Sequence, residues 1–535
     1  MAIVVVLGFN EAWLIARDPI TARDDESLLT PLRQVHGLGG YVRALVHHRV
    51  MDVQPVRDLS FLADIELGRL FHVSTFHATN VLLLIAILLL AAAILRRLGR
   101  SQAAIAVALL WYAAHPVIAD TVSWISARKH LLAAVFILAA TLVVLRTELA
   151  SWRARLGSLG LYLLSVFAQP ITLLWPCWAA FELVLRGRRR DAVKTLALFA
   201  PVTAAVALIN LAYYRGAYVR VAGPKLSHLS WTGFSVSLLS LGRDVFNAVC
   251  PIAVATAYDP GRIFNLIGLV LLPLFVWASV RLLNRRQALS AWAIFAFPLV
   301  PVTAWMTNIF VSDTYLVVPL VAFSLLLAMS LDALTSRAVR RVTAMAVAAL
   351  ALVAAVESHA VAASWESTEA LWARAYRVEA TPRAVGMEAY YELRAGHIEA
   401  GDRLVRRLIA WDPRDHNAPT VFAMALAADT RLSAQEKIDA LKAYPVQNAW
   451  TQYGIGALQA QAGLTREAWR HLSEIVGDPT PLGKFGSAAA AEGLALCRGT
   501  GASGCDRWLE TMKRKLGAAW DPKAFRQKEQ ALGIR

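Results

Sequence analysis

Charge is what this sequence has least of. Asp, Glu, Lys and Arg make up 17% of its 535 residues, whereas a soluble chain carries about 25%. Hydrophobic residues reach 57% and mean hydropathy is +0.49. This balance excludes an ordinary soluble enzyme and points to a multi-span membrane protein. No Walker loop, HExxH or GxSxG occurs, so soluble nucleotide-dependent or hydrolytic chemistry has no support. No His/Cys/Asp spacing resembles a zinc site. The net charge of +16 sits in short arginine clusters between apolar runs. Basic residues are not interleaved with aromatics as a nucleic-acid groove requires. There is no inverted repeat with paired broken helices, which argues against a transporter or flippase.

Cysteines are few. Of the four, Cys177 and Cys250 lie in apolar surroundings and read as packing residues. Cys497 and Cys505 flank the glycine-rich stretch RGTGASG. They form a local disulfide if that end faces an oxidising compartment, and otherwise stay two thiols. The N-terminal MAIVVVLGFNEAWLI lacks the basic region and cleavage site of a signal peptide. It is also short against the ~20 apolar residues a spanning helix needs. It reads as a shortened first helix, or as a start downstream of the true one.

What is present is a repeated rhythm of apolar runs and basic punctuation. About eleven spans are expected, at 2–16, 79–95, 102–119, 130–145, 157–170, 171–185, 195–214, 263–280, 288–308, 314–331 and 342–361. The apolar segment 230–257, interrupted by Arg243 and Asp244, reads as re-entrant or interfacial. Arginine clusters at 96–100, 146–155, 186–194, 281–286 and 337–341 should share the cytoplasmic face. Each pair of successive clusters brackets two spans. The loops 17–78, 115–129 and 215–262, the turn at Gln169-Pro170, and everything after 361 then lie outside.

After Trp365 charge rises and helical periodicity appears. Pro382, Pro413, Pro445 and Pro479 recur at intervals of 31, 32 and 34 residues. Apolar stripes ending in Asp-Pro or Tyr-Pro precede three of them and look like degenerate tetratricopeptide repeats. The expected organisation is all-α: a polytopic membrane helix bundle over 1–363, then a helical repeat domain, an α-solenoid with a C-terminal cap, over 364–535.

Two outer loops could carry chemistry. The loop 17–78 holds Asp18, Asp24, Asp25, Glu26, Arg57, Asp58, Asp64 and Glu66. The stretch 111–132, WYAAHPVIADTVSWISARKHLL, carries His115, Asp120, Arg128 and Lys129 between two apolar runs. Charges at mid-bilayer cost ~2.5–3.5 kcal/mol each on insertion scales, so these groups belong in an aqueous loop or a protein-lined cavity. Two adjacent cations on the outer face oppose the positive-inside bias. Arg128, with its planar fork, suits a phosphate better than Lys129 does. A carboxylate could take a proton from an acceptor hydroxyl, or bind an activating divalent cation, whose identity is unknown. Taken one at a time, each loop acid reads as merely solvated, His115 as an interhelical hydrogen-bonder and Asp313 as a solvated helix tip. The Gln169-Pro170 turn reads as structural.

Several short segments occur in the order of a known family: QPVRDLSFLAD at 54–64, FHATN at 76–80, HPVIADTVSWISARK at 115–129, AQPITLLWP at 168–176, SDTYLVVP at 312–319 and SWESTEALWARAYRVEATP at 364–382. The chain resembles the transmembrane, tetratricopeptide-repeat-containing O-mannosyltransferases and their bacterial relatives, which have the GT-C glycosyltransferase fold. The resemblance implies a membrane enzyme moving a sugar from a polyprenyl-phosphate donor to a Ser/Thr hydroxyl of an acceptor protein held by the repeats. It implies a multi-pass protein, of bacterial inner-membrane type, with a periplasmic C-terminal domain. It assigns Asp120 to the second-loop acid, Arg128 and Lys129 to the donor phosphate, and Asp313 to the acid before the late helix. His115, Arg57, Asp58 and Gln169 are supporting residues. The family's first-loop acidic pair falls on Asn10 and Glu11, leaving Glu11 as the base and Asp24 or Asp25 as substitutes. The family's turn lysine is Gln169 here and its late-helix arginine is Thr314. These departures imply changed donor contacts or a catalytically inactive scaffold that recruits envelope proteins.

Overall fold

Where apolar runs end in arginine, the chain turns, and at four of these turns a capping side chain starts the next helix. The computed structural model describes residues 3, 6–8, 10, 25–47, 50, 53–217, 231–252, 254–255, 263–302, 313–411, 418–478, 486–516, 520 and 522–531. Among these every regular element is a helix. Ser101, Ser151, Asn284 and Ser336 each accept the backbone N–H of the third residue on. Each stands within two residues of an arginine. Such a cap pairs an otherwise orphaned donor and is worth about 1 kcal/mol over alanine.

The described residues fall into two compact units, the first extending to Arg374 and the second holding residues 214–217 and Ala375 onward. The first contains α1 (Asp25–Arg33), α2 (Gly37–Val46), α3 (Pro55–Phe71), α4 (Phe76–Arg97), α5 (Gln102–Ala113), α6 (Pro116–Ser123), α7 (Arg128–Thr147), α8 (Trp152–Ala168), α9 (Trp175–Leu185), α10 (Arg189–Ala217), α11 (Trp231–Val249), α12 (Ile263–Leu282), α13 (Arg285–Ala296), α14 (Val317–Ala333) and α15 (Arg337–Ser364). One apolar core joins residues from α4 through α15.

Among the described residues six stretches are long and apolar enough to cross a membrane: Phe76–Arg97, Ile125–Thr147, Arg189–Asn210, Ile263–Leu282, Asp313–Ala333 and Arg337–Ser364. The α5–α6 pair, bent by 53°, makes a seventh if it is one broken span. The chain is thus built as a membrane-spanning protein. Helices α8, α9 and α13, with 17, 11 and 12 residues, fall below that length. A break at Gln169-Pro170 divides α8 from α9, because the residue before proline is pushed out of helical geometry. Gln169 indeed adopts φ −159, ψ 123.

The arginine clusters meet at one end of this bundle. Arg97 Nε donates to Leu145 O at 3.2 Å, and Arg186 and Arg188 bind Glu148. Arg155 binds Asp191 at 2.7 Å. Arg286 reaches Glu182 at 3.2 Å, and Arg100 and Ser101 share Asp332. We call this the basic end. At α11 and α12 the backbones approach so closely that a Cβ on Gly242 would collide with the Asn265 carbonyl, and one on Gly268 with that of Gly242.

Two expectations are corrected here. The segment 17–78 is not an open loop where it is described: it folds as α1, α2 and α3, with Asp25, Asp58 and Asp64 buried. The stretch 115–129 is not an aqueous loop either. Pro116 restarts a helix at its first position, where a missing N–H costs nothing. Ile125–Ala127 adds a 3₁₀ turn, and Arg128 opens α7. The alternative, a protein-lined environment, is what the structure has.

Helix α16 (Thr368–Val378) carries the boundary to the second unit. There follow α17 (Pro382–Arg394), α18 (Ile398–Trp411), α19 (Ala418–Ala428), α20 (Ala434–Lys442), α21 (Ala449–Gln461), α22 (Thr465–Glu474), α23 (Gly486–Gly499), α24 (Cys505–Leu516) and α25 (Pro522–Ala531). They pack as successive pairs, α17 on α18, α20 on α21, and α21 on α22. Ser433 and Glu436 form a reciprocal capping box at the start of α20. Cys497 and Cys505 are joined by a disulfide across the α23–α24 turn. That turn, Gly499–Gly504, reads G-x-G-x-x-G, but it links two helices with no strand before it, so it is not a dinucleotide fingerprint. Pro413 and Pro479 lie outside the described residues.

Candidate functional site

The end of the bundle opposite the arginine clusters holds the candidate acids Asp25, Asp58, Asp120 and Asp313. His115 caps α6 with Nδ1, accepting the Val117 N–H at 3.3 Å. The bend there turns Asp120 inward, to 4% exposure. Its Oδ1 accepts the indole N–H of Trp365 at 2.9 Å. Trp365 stacks on Trp124, with centroids 6.0 Å and planes 14° apart. The Lys129 ammonium sits 5.8 Å from the Trp124 ring centre. Asp120 and Lys129 are therefore joined through two tryptophans. Between them, Ser126 donates its N–H at 3.0 Å, and its hydroxyl, to Asp25 Oδ1.

Arg128 sits differently. It is fully enclosed, and its guanidinium is occupied by protein. Nη1 pairs with Asp64 Oδ2 at 2.5 Å and reaches Ser60 O at 3.4 Å. Nε donates to Asn80 Oδ1 at 2.8 Å and Nη2 to Phe76 O at 2.7 Å. The Phe61 ring covers it at 4.5 Å. Asp64 Oδ1 in turn accepts the hydroxyls of Thr75 at 2.9 Å and Thr79 at 2.7 Å. This group ties α3, α4 and α7 together. In this arrangement Arg128 has no side open to a ligand phosphate.

Arg57, Asp58 and Gln169 fall into one network. Arg57 pairs with Asp58 at 2.6 Å and donates to Gln54 Oε1 at 2.9 Å. Gln54 donates to Gln169 Oε1 at 2.8 Å, and Tyr41 donates to Asp58 Oδ2 at 2.9 Å. Gln169 thus fills the turn position with a neutral amide pair. Asp313 accepts from Asn247 Nδ2 at 2.6 Å, and its turn packs on α6. The next residue, Thr314, faces His130 Nε2 at 3.4 Å. Buried Arg243 lies near the Phe264 ring, 5.3 Å from its centre. Glu11 and Asp24 lie outside the described residues. Asn10 is described and buried.

Three partners escaped the sequence reading: Asp64 and Asn80 of Arg128, and Trp365 of Asp120. Asn80 lies in FHATN and Trp365 in SWES, so both stretches stood out. Which residue each would meet did not, since the partners are 48 and 245 positions away. Among the described residues no group of three or more His, Cys, Asp or Glu side chains could hold a metal ion. What the arrangement offers is a buried carboxylate, a cation and stacked aromatic faces, the chemistry that meets a polar ring with a charged leaving group. No family model, no curated protein and no solved structure matches the chain.

Proposed function

We propose that this chain is a membrane glycosyltransferase of the GT-C type, similar to the O-mannosyltransferases with tetratricopeptide repeats. It moves a sugar from a polyprenyl-phosphate donor to a hydroxyl of an acceptor protein. The observation that carries this reading is that Asp25, Asp58, Asp120 and Asp313, from separate segments, are each buried and hydrogen-bonded at the end opposite the arginine clusters. In the reaction the acceptor oxygen bonds to the anomeric carbon while the bond from that carbon to the phosphate oxygen breaks. The hydroxyl proton passes to a carboxylate, and the polyprenyl phosphate leaves. Asp120 is our choice to position the acceptor, with Glu11, Asp24 or Asp25 as base. The phosphate contact moves from Arg128, which is spent on protein acceptors, to the half-buried Lys129.

The architecture in this reading has about eleven crossings. The return of the chain to the basic end after each arginine cluster supports it, with α8, α9 and α13 as short crossings. The second unit is read as a tetratricopeptide-like solenoid of about three repeats that holds the acceptor protein, on the outer, periplasmic face of a bacterial inner membrane. The Cys497–Cys505 disulfide suits an oxidising compartment.

A second reading, a catalytically inactive scaffold recruiting envelope proteins, is favoured by the neutral Gln54–Gln169 pair. Transfer of labelled sugar from polyprenyl-phosphate donors by purified protein in proteoliposomes separates the two. Asp120→Asn and Lys129→Gln should each cut transfer at least tenfold while the protein still elutes as a folded species. Transfer that neither substitution reduces would remove the site. Transfer from no donor would favour the scaffold.

A further inference from the structure

At the basic end is a cavity of about 260 Å³ that the proposed reaction does not use. Arg97, Arg186 and Arg286 line it together with one acid, Glu182. Three guanidiniums face one carboxylate in the lining, and Glu148 pairs with Arg186 from just outside it, which leaves the site about one charge positive. Glu182 Oε1 accepts from Arg186 Nε at 2.6 Å and from Arg286 Nη2 at 3.2 Å, which holds both arginines at the cavity wall. Arg97 spends only Nε, on Leu145 O at 3.2 Å, and so keeps its two terminal nitrogens for a ligand. Gln287 also lines the space, and its Oε1 is buried without a hydrogen-bond partner. Amide oxygen and nitrogen exchange by a flip, so Gln287 can offer an N–H there instead. Asn284 and Ser290 add two polar side chains, and the rest of the wall is apolar, including Leu98, Leu145 and Ile294.

We propose that this cavity binds the phosphate headgroup of an anionic membrane lipid. Guanidinium forks match phosphate oxygens in pairs. A free phosphate would explain the arginines but not the apolar wall, whereas a lipid uses both, with its first chain methylenes against Leu98, Leu145 and Ile294. The volume suits a headgroup and the start of a chain rather than a whole lipid. The site lies at the arginine-bearing end, which the positive-inside rule puts against the anionic leaflet. The proposal rests on the chain spanning a membrane and not on its being a transferase.

The test is native mass spectrometry of the full chain titrated with phosphatidylglycerol, phosphatidylethanolamine and soluble glycerol 3-phosphate. Phosphatidylglycerol should bind most tightly. The double variant Arg97→Gln/Arg286→Gln should lose about tenfold in affinity per lost charged hydrogen-bonding partner. Arg97→Lys should retain most of the binding. Arg341→Gln, an exposed arginine outside the cavity, removes charge at the same end and should change nothing. Equal loss on Arg341→Gln, or equal binding of the two lipids, would reduce the effect to general charge attraction and overturn the proposal. Binding of glycerol 3-phosphate as tight as that of phosphatidylglycerol would overturn the lipid assignment. Should the double variant fail to fold, Ile294→Trp fills the cavity without touching charge. Loss of the lipid adduct in that variant supports the site, and its persistence refutes it.

Discussion

Replacing Asp64 by alanine tests whether Arg128 is an internal tie. Asp64 is the counter-charge of a guanidinium with no exposed surface. Removing one member of a buried pair costs about 3–5 kcal/mol, because the other charge stays buried and uncompensated. Two features adjust that figure. Arg128 keeps neutral acceptors in Asn80 Oδ1, Phe76 O and Ser60 O, which pulls the cost toward the lower bound. The hydroxyls of Thr75 and Thr79 lose their Asp64 acceptor, at about 1 kcal/mol each before water returns to these part-buried groups. The expected loss for Asp64→Ala is therefore about 4 kcal/mol. Arg128→Met should cost a similar amount, since it strands the carboxylate. The double variant should cost less than the sum by about 2–3 kcal/mol, because neither charge is then left alone. Unfolding in mixed micelles with rising fractions of a denaturing detergent gives these differences. Additive single effects, or a loss below about 1 kcal/mol for Asp64→Ala, would refute the reasoning.

Other substitutions test other parts of the fold. Gly242→Ala and Gly268→Ala force apart two backbones in contact and should each cost about 2 kcal/mol or more in the same unfolding assay. Gly160→Ala, in α8 with open space around its Cβ position, should instead stabilise by roughly 0.5–1 kcal/mol. Cys497→Ser opens a loop of 8 residues and should cost about 2 kcal/mol. A reductant should lower the melting temperature of the wild type but not of the variant. His471 donates from Nδ1 to Gln452 Oε1 at 2.6 Å, and burial holds its pKa below the ordinary range, with Arg470 adding to the effect. Its neutral form is favoured by folding, so that stability is complete above pH ~6.5 and is lost as pH falls through the lowered folded-state value. His471→Gln should flatten this dependence in melting curves taken from neutral into mildly acidic pH.

How far the sequence could be read follows from the range of each interaction. Arginine clusters announced where the helices turn, because their effect is local and the capping Ser and Asn stand beside them. Proline marked the Gln169 break for the same reason, whereas the expected span 102–119 ran through Pro116, where α6 starts. The apolar runs announced a membrane protein but overstated the length of α9 and α13. Composition does not show where a continuous apolar stretch is cut. The segment 17–78 looked open because its helices are short and mixed in polarity. Their burial depends on Asp58 meeting Tyr41 and on Asp64 meeting Arg128, which only the folded chain brings about. The candidate residues were visible as residue types in odd places. Their grouping was not: Gln54 and Gln169 are 115 positions apart.

The capping residues at the basic end have a bearing on how the protein is made. At four of the five arginine clusters a Ser or Asn beside the cluster opens the next helix. In the eleven-crossing arrangement proposed above, a ribosome feeding this chain into a membrane would release it two helices at a time, with the arginine-bearing bends left on the side of synthesis. The acidic partners Glu148 and Asp191 are both in place once the first turn of α10 has emerged, so the bends before α8 and before α10 can be fastened to each other. Asp332, which holds Arg100 and Ser101, arrives late. The bend after α4 must wait for α14 before it is locked, and the early hairpins stay open to rearrangement until then.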